Sequence, residues 1–273
     1  MQNANDARII SIIHADHFSE GSTNEEYILW NNYYEYAFSQ RERIFAYVSA
    51  TEDQAKLVKE QFEEYLGYTP NVVTIPVGSL PELKYPEGKR KPYSLITASR
   101  LATEKHVDWI AEAVILAKKE VPELTLDIYG KGTEETKIKE LIEKHQAEDY
   151  IKLCGQQNLV EVYKNYEAYI AGSTSEGFGL TLMEAVGSGL PIIGFDVRYG
   201  NQTFIDHEEN GYKIPVHDRM ESSERIEKLA ESIVRMFKEA DMEAYHKHSY
   251  EKAENYLTTE VEKRWATLLK QTK

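Results

Sequence analysis

The sequence predicts an α/β protein with one complete doubly wound parallel-sheet domain and the C-terminal part of a second. Three observations carry this. From Tyr93 onward, short apolar runs at 93–98, 124–129, 150–154, 168–172, 191–195 and 211–214 read as buried strands. Segments of helical spacing lie between most of them, and alternating strand–helix units imply a parallel sheet with helices on both faces. Residues 1–80 hold only three strands and two helices, a thin core for a free-standing domain.

The elements follow in order. Residues 8–13 (Arg-Ile-Ile-Ser-Ile-Ile) read as a buried strand ending at His14-Ala15-Asp16-His17. Residues 25–38 are aromatic and helical, with Tyr27, Leu29, Trp30, Tyr33, Tyr34 and Phe38. Ile44–Ser49 is a second strand, 51–66 a charged amphipathic helix, and 71–78 a third short strand. The stretch 79–92, with Pro81, Pro86, Gly88 and Pro92, has linker composition. Within the α/β domain a helix is expected over 104–120, its apolar face formed by Val107, Ile110, Val114, Ala117 and Val121, with Pro122 stopping it. From about 221 the chain is helical to its end. The expected division is 1–85 for the back half of a Rossmann-like domain, 86–245 for the complete one, and 246–273 for helices that pack back towards the N-terminal part.

Bulk properties narrow the function classes. A chain of 273 residues with 41% hydrophobic content suits one or two packed domains. The net charge of −14 argues against nucleic acid or an anionic membrane as main partner. The 19 tyrosines suit either scattered packing or polar, sugar-contacting surfaces. Cys154 is the single cysteine, so no intrachain disulfide forms; it sits in an expected strand as a core residue. The segment Met1-Gln2-Asn3-Ala4-Asn5-Asp6 lacks the basic and apolar run of a leader, and no apolar stretch approaches membrane-spanning length. The expectation is a cytoplasmic protein.

The chemistry is concentrated in Ser175-Glu176-Gly177-Phe178-Gly179-Leu180-Thr181-Leu182-Met183-Glu184. A strand, a glycine turn and a helix N-terminus are expected here. The N–H groups of Gly177, Phe178, Gly179, Leu180 and Thr181, with the helix dipole, suit an anion, often phosphate. Glu176 stands in the turn and Glu184 about two helical turns on, on the same side, so both carboxylates can point at one ligand. Such a seat suits a sugar nucleotide. Arg100 and Lys105 close the first strand of the domain and open its first helix. A cation is disfavoured in a first helical turn, so Lys105 there suggests pairing with an anion. Arg offers a bidentate fork and Lys a point charge, together enough to neutralise a diphosphate; the alternative is a solvated basic pair on a loop. Tyr129-Gly130-Lys131-Gly132 and Gly155-Gln156-Gln157-Asn158-Leu159 are further turns at strand ends, each either a contact to base or sugar or only a turn. His14, Asp16 and His17 are the one metal candidate, a weak one beside cleft-lining or strand-capping histidines.

At these residues a family is recognisable. Ser99-Arg100-Leu101, Glu104-Lys105, Ser175 to Gly179, Glu184-Ala185 and Gly189-Leu190-Pro191 resemble the retaining glycosyltransferases of the two-Rossmann GT-B fold, in the glycogen-synthase-like clan, over 93–240. More narrowly, His14 to Ser19, Ile28 to Tyr36, Val48 to Thr51 and Arg198 to Ile205 are similar to the GtfA family. These are the catalytic glycosyltransferase subunits of the accessory Sec system of Gram-positive bacteria. The related wall teichoic acid glycosyltransferases tend to carry a proline where this chain has Asn201.

The resemblance implies a retaining hexosyltransferase that moves N-acetylglucosamine from UDP-GlcNAc to Ser/Thr hydroxyls of a serine-rich adhesin, without cofactor or metal. It implies a GtfB-like co-glycosyltransferase subunit that holds the acceptor and, through that complex, peripheral association with a membrane. By position, Glu176 would contact the donor sugar and Glu184 the ribose. Arg100 and Lys105 would hold the diphosphate, with backbone contacts from Gly177, Phe178 and Gly179. His14 or His17 would face the sugar. The alternatives are a wall teichoic acid (polyol-phosphate) α-glycosyltransferase and a sugar-nucleotide-binding fragment inactive on its own.

Overall fold

A computed structural model describes residues 8–18, 28–217 and 219–272. The 1–6 segment read for a leader lies outside the described residues. The chain divides into two compact units, Met1–Ser79 with Thr258–Lys273, and Leu80–Leu257.

In the first unit β1 (Ile9–Ile13), β2 (Ile44–Ser49) and β3 (Val72–Thr74) form a parallel sheet in that order. The aromatic run is helical only over α1 (Asn32–Ser39). Asn31 ends the extended stretch before it, and its side chain accepts the Tyr33 N–H as N-cap. Residues 28–31 are not helical, and 25–27 lie outside the described residues. Helix α2 (Glu52–Leu66) is capped by the Thr51 side chain and stopped by Gly67 in the left-handed region. Successive β2 side chains serve opposite faces. Tyr47 packs with Tyr34, Phe38, Val58 and Phe62, whereas Ala46 and Val48 pack with Ile75.

The second unit is a six-stranded, fully parallel sheet. Its strands are β4 (Ser94–Ala98), β5 (Thr125–Tyr129), β6 (Ile151–Gly155), β7 (Ala168–Ala171), β8 (Ile192–Phe195) and β9 (Gly211–Ile214), in the order β6-β5-β4-β7-β8-β9. Counted within the unit this is 3-2-1-4-5-6, the dinucleotide-fold order, whose ligand crevice opens where the order reverses beside the first strand. The helices are α3 (Val107–Ala117), α4 (Glu135–Lys144), α5 (Leu180–Gly187), α6 (Gly200–Phe204), α7 (Ser222–Lys238) and α8 (Met242–Ala253). Helices α3 and α7 cover one face with a continuous core that includes Leu95, Ile110, Val114, Ile128, Leu229 and Ile233. The last helix, α9 (Thr258–Lys270), belongs to the first unit, where Val261 and Leu268 join the Ala46–Val48–Ile75 side of its core.

Three expectations are corrected here. The 79–92 stretch is not a loose linker but is pinned to the second unit. Arg90 donates to the carbonyls of Lys164, Tyr166 and Ser188 and to the Tyr250 hydroxyl, and Tyr250 in turn bonds the Lys84 carbonyl. The helix expected over 104–120 is interrupted: Thr103–Lys105 forms a separate 3₁₀ turn, and His106 in the left-handed region (φ 44°) separates it from α3. Cys154 is only partly buried, because β6 is an edge strand of the sheet. Among the described residues no helix is long and apolar enough to cross a membrane.

Candidate active site

The carboxyl ends of β4, β5 and β6 open onto a cavity of about 400 Å³, bordered on its remaining side by the 3₁₀ turn Tyr163–Asn165 and the first turns of α5. Arg100 reaches it from β4, and Gly130 and Lys131 from β5. Gln157, Asn158 and Leu159 line it from the loop after β6, and Thr181 and Glu184 from α5. All were expected at the site from the sequence. The lining therefore holds two cations, one carboxylate and several amide or hydroxyl groups, a set that accommodates a ligand carrying both phosphate and hydroxyls.

Each charged group has a distinct setting. Arg100 is 77% exposed and pairs with Glu104 at 3.0 Å, a solvated contact that leaves its fork easily diverted to an anion. Glu184 is the fifth residue of α5, just over one turn from its start rather than two, because the helix begins only after Gly179. Burial raises the Glu184 pKa, and the neighbouring Tyr163 hydroxyl pulls it back down. Thr181 is fixed by a 3.1 Å hydrogen bond with the Tyr169 hydroxyl, which itself donates to the Ala98 carbonyl at the end of β4.

Glu176 and Lys105 form a second cluster outside the lining of this cavity. The Lys105 Nζ donates to Glu176 Oε2 at 2.7 Å, and the two side chains are only 16% and 19% exposed. The 3₁₀ turn and the β7–α5 loop come this close because position 172 is glycine: a Cβ there would meet the His106 carbonyl oxygen at 2.7 Å. The Glu176 backbone is held in turn, its carbonyl accepting N–H groups from Tyr199 at 2.7 Å and Gly200 at 3.1 Å. Since Lys105 precedes α3 in its own turn, the macrodipole argument for its placement does not apply; the carboxylate beside it is what holds it.

The Gly177-Phe178-Gly179 turn delivers the chain to α5. Gly179 is the N-cap with φ 81°, where a side chain would be strained and its Cβ would meet Leu182 at 2.8 Å. The Phe178 side chain is buried against Phe204 and Tyr256, which anchors the turn, and Leu180 is half exposed. These residues border the helix N-terminus rather than the cavity wall.

The histidines part company. His17 is fully buried, its Nε2 2.7 Å from Gln61 Oε1 and its ring stacked on Trp30, so its place is in the core of the first unit rather than on a cleft surface. His14 is exposed. With Asp16 they form no metal-ligating group; among the described residues one such group exists, Asp206, Glu209 and His248, and there Asp206 is already held by Lys252 at 3.0 Å. Tyr129, part of the turn read from the sequence as a candidate contact, lines the cavity, and so does Tyr163, which sequence reasoning missed. Tyr163 lies in a short turn with no motif around it.

Comparison with known proteins decides the family. Residues 81–247 match the family described as "Glycosyl transferases group 1". The chain belongs to this family. It is 52% identical over 265 residues to the UDP-N-acetylglucosamine–peptide N-acetylglucosaminyltransferase GtfA subunit of Streptococcus gordonii, covering 97% of this chain and 52% of that protein. It is also similar to the crystal structure of the pneumococcal O-GlcNAc transferase GtfA in complex with UDP and GlcNAc. That similarity has TM-score 0.93 and 49% identity, and covers 99% of this chain and 54% of the other. A crystal structure of a GtfA/B complex matches with TM-score 0.96 and 51% identity, covering 99% of this chain and 54% of that one. The fold is thus that of the GT-B glycosyltransferases, and the chain spans about half the length of the relatives it matches.

Proposed function

We propose that this group 1 glycosyltransferase chain carries the donor site of an enzyme that moves N-acetylglucosamine from UDP-GlcNAc to Ser/Thr hydroxyls of a serine-rich polypeptide, with retention and with a GtfB-like subunit presenting the acceptor. One observation carries the reading: two cations and a half-buried carboxylate converge on one cavity at the strand ends. The 52% identity to a relative named for peptide transfer favours peptide over polyol phosphate as acceptor.

In this reading the uridine diphosphate enters the cavity with its ribose at Glu184 and its phosphates towards Arg100 and Lys131. Lys105, detached from Glu176, takes the β-phosphate, and the freed Glu176 accepts a hydroxyl of the sugar. Cleavage of the sugar–phosphate bond places charge on the β-phosphate, and cations drawn onto the phosphates when the nucleotide binds lower that barrier. The acceptor hydroxyl attacks from the leaving-group face and gives its proton to the departing phosphate, so no separate base is used. Mass spectrometry of a Ser/Thr-rich peptide incubated with UDP-GlcNAc, the chain and its partner subunit tests this. A N-acetylhexosamine adduct is expected, and its rate falls by at least ~100-fold in Glu176→Ala; unchanged transfer by that variant contradicts the assignment.

A further inference from the structure

One buried group at the cavity is left unexplained by the fold. Tyr163 is 0% exposed, and its hydroxyl lies near enough to the Glu184 carboxyl to lower its pKa, yet it makes no hydrogen bond of good geometry with Glu184 or any other group of the folded chain. A buried hydroxyl without an acceptor destabilises a protein, and where one is retained a functional role is the first thing to look for. The Tyr163 ring is fixed against Tyr169, with centroids 6.1 Å apart, and the residue forms part of the cavity wall beside Glu184. Resting on the nucleotide reading above, we propose that Tyr163 is a positioning residue that makes this site selective for ribose: with a nucleotide bound, its hydroxyl donates to one Glu184 oxygen and holds the carboxylate in the plane that accepts both the 2′- and 3′-hydroxyls.

The chemistry of the pair supports this. A carboxylate has about four acceptor directions, enough for one tyrosine and two ribose hydroxyls; a protonated carboxyl would lose part of that capacity. Burial pushes the Glu184 carboxyl towards the protonated form, and the Tyr163 hydroxyl works against it. Burial also drives the Tyr163 pKa far up, so the phenol stays a donor. Tyr163 thus acts on the ligand through Glu184 and touches no reacting atom.

The test is titration of the chain with UDP and with 2′-deoxy-UDP, for the wild type, Tyr163→Phe and Glu184→Gln, together with thermal unfolding of each. Phe keeps the ring and removes only a hydroxyl that makes no well-formed hydrogen bond in the fold. The expected result for Tyr163→Phe is a melting temperature unchanged or raised, with the preference for UDP over 2′-deoxy-UDP reduced about tenfold. If Glu184→Gln removes that preference and Tyr163→Phe leaves it intact, Tyr163 is a packing residue and this proposal alone is overturned. If Glu184→Gln leaves UDP affinity unchanged, the nucleotide reading falls and this proposal falls with it.

Discussion

Glu176 and Lys105 show most directly how single residues set this chemistry. Their 2.7 Å pair is mostly out of solvent, so each depends on the other for its charge to be tolerated. Removing one member of such a pair leaves an uncompensated charge, which costs more than the pair itself contributes. Lys105→Ala should therefore lower stability by ~1–3 kcal/mol in urea unfolding, while the double variant Lys105→Ala/Glu176→Ala recovers part of that loss. A double variant as unstable as the sum of the singles would show that the two residues are not coupled. His246 makes a prediction in pH. Its Nδ1 donates to the Gly189 carbonyl at 2.6 Å, and burial, reinforced by the Arg90 charge, lowers its pKa to about 4. The unfolded chain takes up this proton near pH ~6.5 and the folded one does not. The stability His246 contributes is present above that value and is lost as pH falls towards 4, by up to ~3 kcal/mol. Unfolding free energies from pH 7 to 4 check it: the slope should flatten in His246→Asn.

Among the elements, the turn before α5 matters most, because it places both the helix N-terminus and Glu176. Gly179→Ala forces φ 81° on a residue with a Cβ and presses that atom on Leu182. A loss of ~1–2 kcal/mol in urea unfolding is expected, and a variant as stable as wild type would mean that the turn can take another path. This turn was legible in the sequence, since Gly-Phe-Gly after an apolar run has few other uses. So were the six strands of the second unit, most of whose apolar runs are separated by helical segments. What the sequence could not convey was tertiary. The left-handed His106 that cuts the 104–120 pattern has no compositional mark. The depth of His17 depends on Trp30, Phe38 and Gln61 arriving around it, and the partial exposure of Cys154 on β6 being the sheet edge. Arg90 and Tyr250, far apart in sequence, turn a proline-rich stretch with linker composition into a fixed strap.

At the scale of the whole chain, the charged cavity lining lies within Leu80–Leu257, and the first unit contributes none of its residues. Nucleotide binding should then stabilise the second unit selectively, by ~2.7 kcal/mol at 100 times Kd. Hydrogen exchange with and without UDP checks this. Protection is expected in peptides over 96–106, 129–134, 155–163 and 174–185, with no change in β1, β2 or β3. Protection confined to the first unit would place the nucleotide elsewhere. The cavity also accounts for how an acidic chain of net charge −14 could bind an anion: Arg100 and Lys131 make a local positive region at the strand ends.

Calorimetric titration with UDP-GlcNAc, comparing the wild-type chain with Arg100→Ala and Glu184→Ala, tests the central claim most directly. Saturable binding to the wild type, weakened at least tenfold by each substitution, is the predicted result. Equal affinity in all three chains would contradict the assignment of the cavity as the donor site.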